Sequence, residues 1–189
     1  DASLSGGWSN RLVHWGYDNN AAKSRTTLHF YNNTVANRIN LSNSGYVTMF
    51  HIGSGTSVSP NVDVRNNIFA NYGTASFFFL TESGAVTLTG ANFLPSTWGA
   101  AATQIGATGT ANTSAASTIT GSDPGLSSTY VPTSTSAVVN KGSSMPTTAT
   151  SPASATNLQV TGQYLSTISA GTRSISGGAI DLGAFEYTP

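Results

Sequence analysis

The residues best suited to chemistry in this chain are His29 and Tyr31 in one short segment, and Asp63 and Arg65 in another. An imidazole takes up a proton, a phenol gives one up, and a guanidinium neutralises a carboxylate. Only 7% of the residues are charged, so four such groups at matching places in two segments are unusual. The elements that carry them must bring the two segments together.

Three segments of the chain align with one another: TTLHFYNNTVANR at 26–38, NVDVRNNIFANYG at 61–73 and AVTLTGANFLPST at 85–97. Each begins with alternating apolar and polar residues, which is typical of a strand, and continues through a turn to further apolar positions. Steps of 34 and 24 residues indicate a solenoid, in which each coil buries its apolar face against its neighbours. β-Branched and aromatic residues among Ser, Thr, Asn and Gly favour strands and turns, so the coil is β.

The alignment predicts which side chains point inward and which point outward. Three interior stacks follow from it: Leu28–Val62–Val86, Phe30–Val64–Leu88 and Val35–Phe69–Phe93. Because side chains alternate along a strand, His29 and Asp63 fall in one outward column, and Tyr31 and Arg65 in the next. Adjacent strands lie about 4.8 Å apart, so these four residues are predicted to form one compact polar patch.

Pairs of Asn residues occupy the turns after the first two aligned strands. Asn tolerates the left-handed backbone conformation that a sharp bend uses. We expect Asn32 and Asn66 to point inward and stack, while Asn33 and Asn67 take the strained backbone position. The third segment has a Gly-Ala pair at this place, which predicts that the side-chain ladder ends there.

Four stretches carry a resemblance to a known family: the NNTV and NNIF turns, the closing motif GGAIDLGAFEY at 177–187, and DPGLSSTYVPTSTSAVVNKG at 123–142. They resemble the secreted bacterial right-handed parallel β-helix proteins of the pectate-lyase-like superfamily, and the span over which they are distributed, 32–187, covers most of the chain. The resemblance implies an all-β fold, a right-handed parallel β-helix with an irregular Ser/Thr/Gly-rich C-terminal region. It says less about chemistry, since the superfamily includes lyases, hydrolases, epimerases and adhesins.

For the polar patch, the resemblance implies β-elimination on a uronic acid polymer. Arg65 would neutralise the substrate carboxylate, His29 would abstract the neighbouring proton, and Tyr31 would protonate the leaving oxygen. Asp63 would help to bind the substrate. The alternative is that an Asp63–Arg65 pair and a cross-coil contact to His29 have no catalytic role and only keep a solvent-facing sheet polar.

A second cluster lies in WSNRLVHWGYDNNAAKSR at 8–25, which runs into the segment of His29. Planar rings beside charged groups suit the faces of sugars, although aromatic residues also fill ordinary cores. We predict that five residues of this segment contact the substrate: Trp8, Trp15, Tyr17, Lys23 and Arg25.

No cofactor is predicted. The three histidines show no ligand spacing and the chain has no Cys, which argues against zinc. Calcium is the alternative that stays open, and it would need folding to gather two of Asp18, Asp63 and Glu82. The two acids of the closing motif, Asp181 and Glu186, are expected to accept hydrogen bonds from backbone donors.

The amino-acid composition limits which classes of partner and which cellular location fit this chain. The formal net charge is zero, which excludes the basic surface of a nucleic-acid reader. The longest apolar run, at 77–80, is far too short to span a membrane. With the family resemblance, these features favour an extracellular or cell-surface protein whose partner is a polysaccharide.

One domain is predicted over residues 1–189, with clear coils at 1–98, small-residue coils and loops at 99–160, and closing strands at 161–189. No capping element precedes Leu4, so we expect the first coil to be covered by an upstream portion of the same precursor or by identical chains stacked end to end. Three function classes follow: a polysaccharide lyase, a structural or adhesive protein that stacks into fibres, and a non-catalytic carbohydrate-binding module.

Overall fold

The computed structural model describes residues 10–15, 27–40, 46–53, 61–75, 77–101, 109–113, 117–145, 160, 162–166 and 169–189. These residues form fourteen strands and no helix, so the predicted all-β class is confirmed for them. Accordingly, this part of the chain contains no helix that could cross a membrane.

The strands in chain order are β1 Asn10–Trp15, β2 Thr27–Tyr31, β3 Thr34–Asn37, β4 Tyr46–Ile52, β5 Asn61–Arg65, β6 Ile68–Asn71, β7 Phe77–Ser83, β8 Ala85–Leu88, β9 Asn92–Pro95, β10 Trp98–Ala101, β11 Thr110–Asn112, β12 Thr118–Gly121, β13 Gly162–Ser166 and β14 Ser169–Thr172. Twelve of them form three parallel sheets. Sheet 1 has the order β1-β4-β7-β10, sheet 2 β2-β5-β8-β11, and sheet 3 β3-β6-β9-β12. Each strand from β1 to β9 therefore pairs with the strand three places further along the chain.

The remaining strands, β13 and β14, form an antiparallel hairpin. Within the small-residue region at 99–160, β11 extends sheet 2 and β12 extends sheet 3. The expectation that another polypeptide covers the first coil concerns residues 1–9, which lie outside the described residues.

Sheet 2 has the register that the sequence alignment predicts. Two rows of apolar side chains run across it: Leu28, Val62, Val86 and Phe30, Val64, Leu88. The members on β5 and β8 are buried, and those on β2 pack against the same core. The alternation of valines and leucines with polar residues thus places one face of this sheet inside.

Aromatic side chains from all three sheets meet in this core. The Phe30 ring lies edge-on to Phe50 at 5.3 Å between centroids and stacks on Phe69 at 6.2 Å. Phe69 also contacts Phe78 at 5.9 Å. These offset and edge-to-face arrangements are the ones that aromatic pairs prefer.

The third predicted stack is wrong at Phe93. Val35 pairs with Phe69 as expected, but Phe93 pairs with Ile68. One extra residue in the turn before β9 shifts the strand, and Leu94 occupies the interior place. Phe93 faces the opposite side of sheet 3, where it packs in a second apolar cluster with Ile68, Ala70, Ala91, Val138 and Leu182.

The roles of the turn asparagines are the reverse of the prediction. Asn32 and Asn66 take the left-handed conformation, with φ of 55° and 58°. The amide ladder is formed by their successors: Asn33 Nδ2 donates to Asn67 Oδ1 at 3.1 Å, and Asn67 Nδ2 donates to Asn92 Oδ1 at 3.1 Å. The predicted end of the ladder at the third turn is also wrong, because the extra residue brings Asn92 into line.

The ladder satisfies backbone groups where the chain turns from sheet 2 to sheet 3. Asn67 Oδ1 accepts from the backbone N–H of Asn33 at 2.9 Å, and Asn92 Oδ1 accepts from that of Asn67 at 3.0 Å. Asn67 Nδ2 donates to the carbonyls of Phe30 at 2.8 Å and Arg65 at 2.9 Å. Buried backbone groups at this corner are therefore paired by side chains.

Asn32 and Asn66 are buried as expected, but they face a C-terminal segment, residues 138–145, which we call the strap. Asn66 Nδ2 donates to the Ser143 carbonyl at 2.7 Å, and the Ser143 N–H donates to Asn66 Oδ1 at 2.7 Å. This amide pairs with the strap as a neighbouring strand would. Asn32 Nδ2 lies 3.7 Å from the sulfur of Met145.

The acids of the closing motif accept from backbone donors, as predicted. Asp181 accepts from the N–H groups of Asn140 and Tyr187, each at 2.6 Å. Glu186 accepts from the N–H of Asp181 at 3.1 Å and from Arg173 Nε at 2.8 Å. Both members of the Arg173–Glu186 ion pair are almost completely buried, a feature that the sequence analysis did not identify.

Replacing Asn67 by Leu should destabilise the protein by about 1–3 kcal/mol, because it removes the acceptor of the Asn33 N–H and a buried backbone group left unpaired costs that much. Urea unfolding of the variant measures this. The exposed Asn40, replaced by Leu, is the matched control and should unfold like the unaltered protein. An Asn67→Leu midpoint equal to that of the control would contradict the role of the ladder.

Replacing Arg173 by Met should cost about 3–5 kcal/mol, since it leaves the Glu186 carboxylate buried without its cation. The double variant Arg173→Met, Glu186→Gln keeps an acceptor for Asp181 and removes the unpaired charge. It should recover part of the lost stability in thermal unfolding. Equal stability of the single variant and the unaltered protein would show that the pair is not needed.

Candidate functional site

The predicted polar patch forms on the outer face of sheet 2. His29 pairs in register with Asp63, and Tyr31 with Arg65, across the neighbouring strands β2 and β5. The inward neighbours on these strands belong to the core, so the four polar side chains all point away from it. The structure brings together the residues that the sequence analysis placed in two columns.

A continuous chain of hydrogen bonds links three of these side chains. Tyr31 Oη donates to Asp63 Oδ2, and His29 Nδ1 lies 2.8 Å from Tyr31 Oη and 3.6 Å from Asp63 Oδ2. The side chain of His29 is 31% exposed and that of Asp63 is 13% exposed. The carboxylate is thus shielded while the imidazole reaches solvent.

The direction of these bonds assigns the tautomer of His29. A phenol has one proton, and Tyr31 donates it to Asp63, so Tyr31 Oη accepts from Nδ1–H. In the neutral imidazole, Nε2 then carries the lone pair. The arrangement presents a proton-accepting nitrogen held in place through a phenol by a carboxylate.

Tyr31 is held in its protonated form. Burial raises the pKa of its phenol well above the ordinary value, and the hydrogen bond and negative charge of Asp63 raise it further. The charge of Arg65 acts in the opposite direction but is a smaller effect. Tyr31 is therefore a hydrogen-bonding link and not a source of phenolate at neutral pH.

Arg65 is bound to protein acceptors on two sides. Its Nε donates to Thr89 Oγ1 at 3.3 Å and its Nη2 to the Thr89 carbonyl at 2.8 Å. Its Nη1 donates to the carbonyl of Ser144 on the strap, and Thr89 Oγ1 donates to Asp63 Oδ1. A guanidinium has five N–H donors, so two of them meet no acceptor among the residues that the structure describes.

The glycine of the third turn makes room for this arrangement. A Cβ on Gly90 would lie 2.8 Å from Arg65 Cγ and 3.2 Å from Ser143 Cβ. Any larger residue would push the arginine or the strap away. The Ala91 N–H that follows donates to Ser143 Oγ at 3.0 Å, which ties the same turn to the strap.

Of the second predicted group, only Trp15 lies in the described part of the chain. Its side chain packs against the core, and its buried indole Nε1 has no hydrogen-bond partner among the described residues. It belongs to sheet 1, whereas His29 belongs to sheet 2, so the structure does not bring the two together. The other four predicted contacts lie outside the described residues: Trp8, Tyr17, Lys23 and Arg25.

Sheet 1 holds a pair of histidines that the sequence analysis did not connect. His14 and His51 are in register on β1 and β4, with ring centroids 5.1 Å apart. Wherever the structure describes side chains, no three His, Asp or Glu groups gather to hold a metal ion. Asp18 and the side chain of Glu82, which belong to the calcium alternative, are outside the described set.

Comparison with known proteins adds no relative. No family model, curated protein or solved structure matches this chain. The function must therefore be argued from the geometry of the patch.

The raised pKa of Tyr31 predicts how stability depends on pH. The unfolded phenol ionises near pH 10, while the folded phenol keeps its proton to higher pH. The contribution of Tyr31 to stability is therefore present below pH ~10 and is lost as the pH rises above that value. A tyrosinate absorbance titration, with Tyr31→Phe subtracted, should show this ionisation displaced upward.

The matched variant Asp63→Asn should bring the Tyr31 titration back toward its ordinary range, because it removes both the accepting carboxylate and its charge. If Tyr31 titrates near pH 10 in the unaltered protein, the hydrogen bond to Asp63 is not the one described.

Proposed function

We propose that the chain forms a right-handed parallel β-helix of the pectate-lyase-like type that its sequence resembles. In support, each strand of sheets 1 to 3 pairs in parallel with the strand three places later. Connections between parallel strands of one sheet are right-handed in nearly all proteins. Apolar rows and an amide ladder that repeat from strand to strand fit the same architecture.

We further propose that the protein is extracellular and carbohydrate-active, acting on an acidic polysaccharide by β-elimination at the outer face of sheet 2. The observation that carries this proposal is the His29–Tyr31–Asp63 chain of hydrogen bonds. It leaves Nε2 of the partly exposed His29 side chain as a base on a surface that also presents a guanidinium. Elimination from a uronate needs these two functions.

His29 is the proposed general base. Its Nε2 would take the proton from the carbon next to the substrate carboxylate, and Asp63, 3.6 Å from Nδ1, would stabilise the imidazolium that forms. The C–H bond breaks, a C=C bond forms, and the bond to the glycosidic oxygen breaks. The imidazolium then returns its proton to that oxygen, so His29 both removes and returns the proton.

The geometry changes the role expected for Tyr31 and keeps the one expected for Arg65. Tyr31 directs its proton at Asp63, so we assign it to position His29 and not to protonate the leaving oxygen. Arg65 keeps two N–H donors for the substrate carboxylate, and its bonds to Thr89 and Ser144 fix its direction. A guanidinium held in advance loses little entropy when it binds.

A carbohydrate-binding module without catalysis is the second candidate. The observation that favours it is that Arg65 is already bonded to three protein acceptors, as expected for a residue that holds the strap. Such a surface would contact a uronate chain without changing it. Product formation separates the two candidates.

The lyase proposal predicts an unsaturated product, seen by its ultraviolet absorbance, when the protein is incubated with polygalacturonate or another polyuronate. His29→Ala should lower the rate at least ~100-fold, which is the usual contribution of a general base. His14→Ala removes a histidine from sheet 1 and should leave the rate unchanged. Binding of the polymer without any unsaturated product would favour the second candidate, and an active His29→Ala variant would refute the assigned base.

A further inference from the structure

An aromatic residue with strained backbone points to a second site, on sheet 3. Four non-glycine residues of the described chain have positive φ, and three of them are Asn. The fourth is Tyr130, with φ of 65°. A bulky residue rarely adopts this conformation, and strain of this kind persists where the surrounding structure imposes it.

The turn at 127–131 imposes the conformation. The Tyr130 N–H donates to the Ser127 carbonyl at 3.0 Å, and the Ser127 N–H donates to the Val131 carbonyl at 2.8 Å. A bridge between Leu126 and Pro132 closes the turn at its base. Glycine or asparagine would fit this backbone with less strain, yet the turn carries a tyrosine, which directs attention to what its side chain contacts.

That side chain contacts an exposed arginine. Arg38 Nε donates to Tyr130 Oη at 2.9 Å, and its guanidinium carbon lies 5.6 Å from the Tyr130 ring centroid. The same carbon lies 5.2 Å from the ring of Tyr72, which is 36% exposed. Arg38 is thus held between two aromatic rings at distances typical of cation–π contacts.

The sheet explains why the three residues meet. Arg38 follows β3 and Tyr72 follows β6, and the last residues of these strands, Asn37 and Asn71, are in register. Asn37 Nδ2 donates to Asn71 Oδ1 at 2.7 Å, a second amide contact of the same kind as the corner ladder. Backbone pairing continues one residue further, since the Tyr72 N–H donates to the Asn37 carbonyl at 2.8 Å.

The charge of Arg38 is not neutralised by a carboxylate within the described residues. The ion pairs there are His29–Asp63 and Arg173–Glu186. Burial raises the pKa of the Tyr72 phenol, and the charge of Asp123 and its hydrogen bond to that phenol raise it further, so Asp123 is engaged with Tyr72. Arg38 Nε is bonded to Tyr130, and the four N–H donors on its two terminal nitrogens meet no described acceptor.

A cavity of about 390 Å³ adjoins Tyr130. It is lined by Thr34, Ala36, Thr129, Tyr130, Ala184 and Phe185. Val35 packs into the core, so its neighbours Thr34 and Ala36 lie on the outward side of β3, the side that leads to Arg38. The cavity and the arginine therefore form one continuous surface along this strand.

We propose that the Tyr72–Arg38–Tyr130 cluster and the adjoining cavity bind a carboxylated sugar chain. The guanidinium would bind one carboxylate through its terminal nitrogens, the rings would contact the apolar faces of the sugar, and the next sugar unit would enter the cavity. This site is on sheet 3, separate from the patch on sheet 2. It shares only the ligand class with the proposed function.

Isothermal titration with an oligogalacturonate and with a maltooligosaccharide of equal length tests the proposal. To separate the two sites, every variant is built in the His29→Ala, Arg65→Gln background. Arg38→Gln should weaken binding of the acidic ligand at least ~10-fold. Arg11→Gln removes the same charge at an exposed position on sheet 1 and should leave affinity unchanged.

Tyr130→Asn is the second variant, because Asn keeps the left-handed backbone but lacks the ring. It should also weaken binding ~10-fold or more, while the unfolding midpoint stays within a few degrees of the background protein. A residue needed only for packing would give the opposite result, a lower midpoint with unchanged affinity, and that would overturn the proposal. So would the absence of any binding by the background protein, or equal affinity for the neutral ligand. Turnover with polyuronate is measured separately, so either function can fail without the other.

Discussion

The pairing of buried backbone groups at the corner between sheets 2 and 3 is the constraint on which the rest of the structure depends. Asn33, Asn67 and Asn92 supply amide groups where the chain changes direction, and each amide also bonds the next. The ladder fixes how neighbouring strands align. A slip of one residue would move every side chain to the other face, so the ladder also keeps His29 and Asp63 outside together.

The strap connects this corner to both proposed sites. Asn66 pairs with Ser143 of the strap, and Arg65 donates to Ser144, so the guanidinium of the sheet 2 patch is oriented by a segment distant in sequence. Val138 of the strap and Leu182 pack on the outer face of sheet 3. The chain leading into the strap carries the turn that presents Tyr130. The segments that cover the outer face of sheet 3 therefore also position side chains at the edges of that face.

The sequence predicts those features that depend on local alternation. Rows such as Leu28–Val62–Val86, and the meeting of His29 with Asp63, follow from a period of two and a constant step between strands. The misplaced Phe93 follows from one added residue in the third turn, which residue types alone do not reveal. Which Asn of each pair takes positive φ was also misassigned, because both have the same propensity.

Contacts between residues far apart in sequence escaped prediction for a different reason. The bonds of Arg65 to Ser144 and of Arg38 to Tyr130 join segments with no common pattern, and nothing local indicates their partners. The turn at Tyr130 is indicated locally, because its surroundings, SSTYVP, contain turn residues. The residue types do not indicate that the positive φ falls on the aromatic residue and not on a neighbouring small one.

Amide hydrogen exchange, followed residue by residue, tests the central role of the corner most directly. The N–H groups of Asn33 and Asn67 donate to side-chain amides of the ladder and not to strand carbonyls. If the ladder holds the corner, both exchange as slowly as the buried strand residue Val64, through global unfolding. Exchange of these two amides at the rate of an exposed turn, while Val64 stays protected, would contradict it.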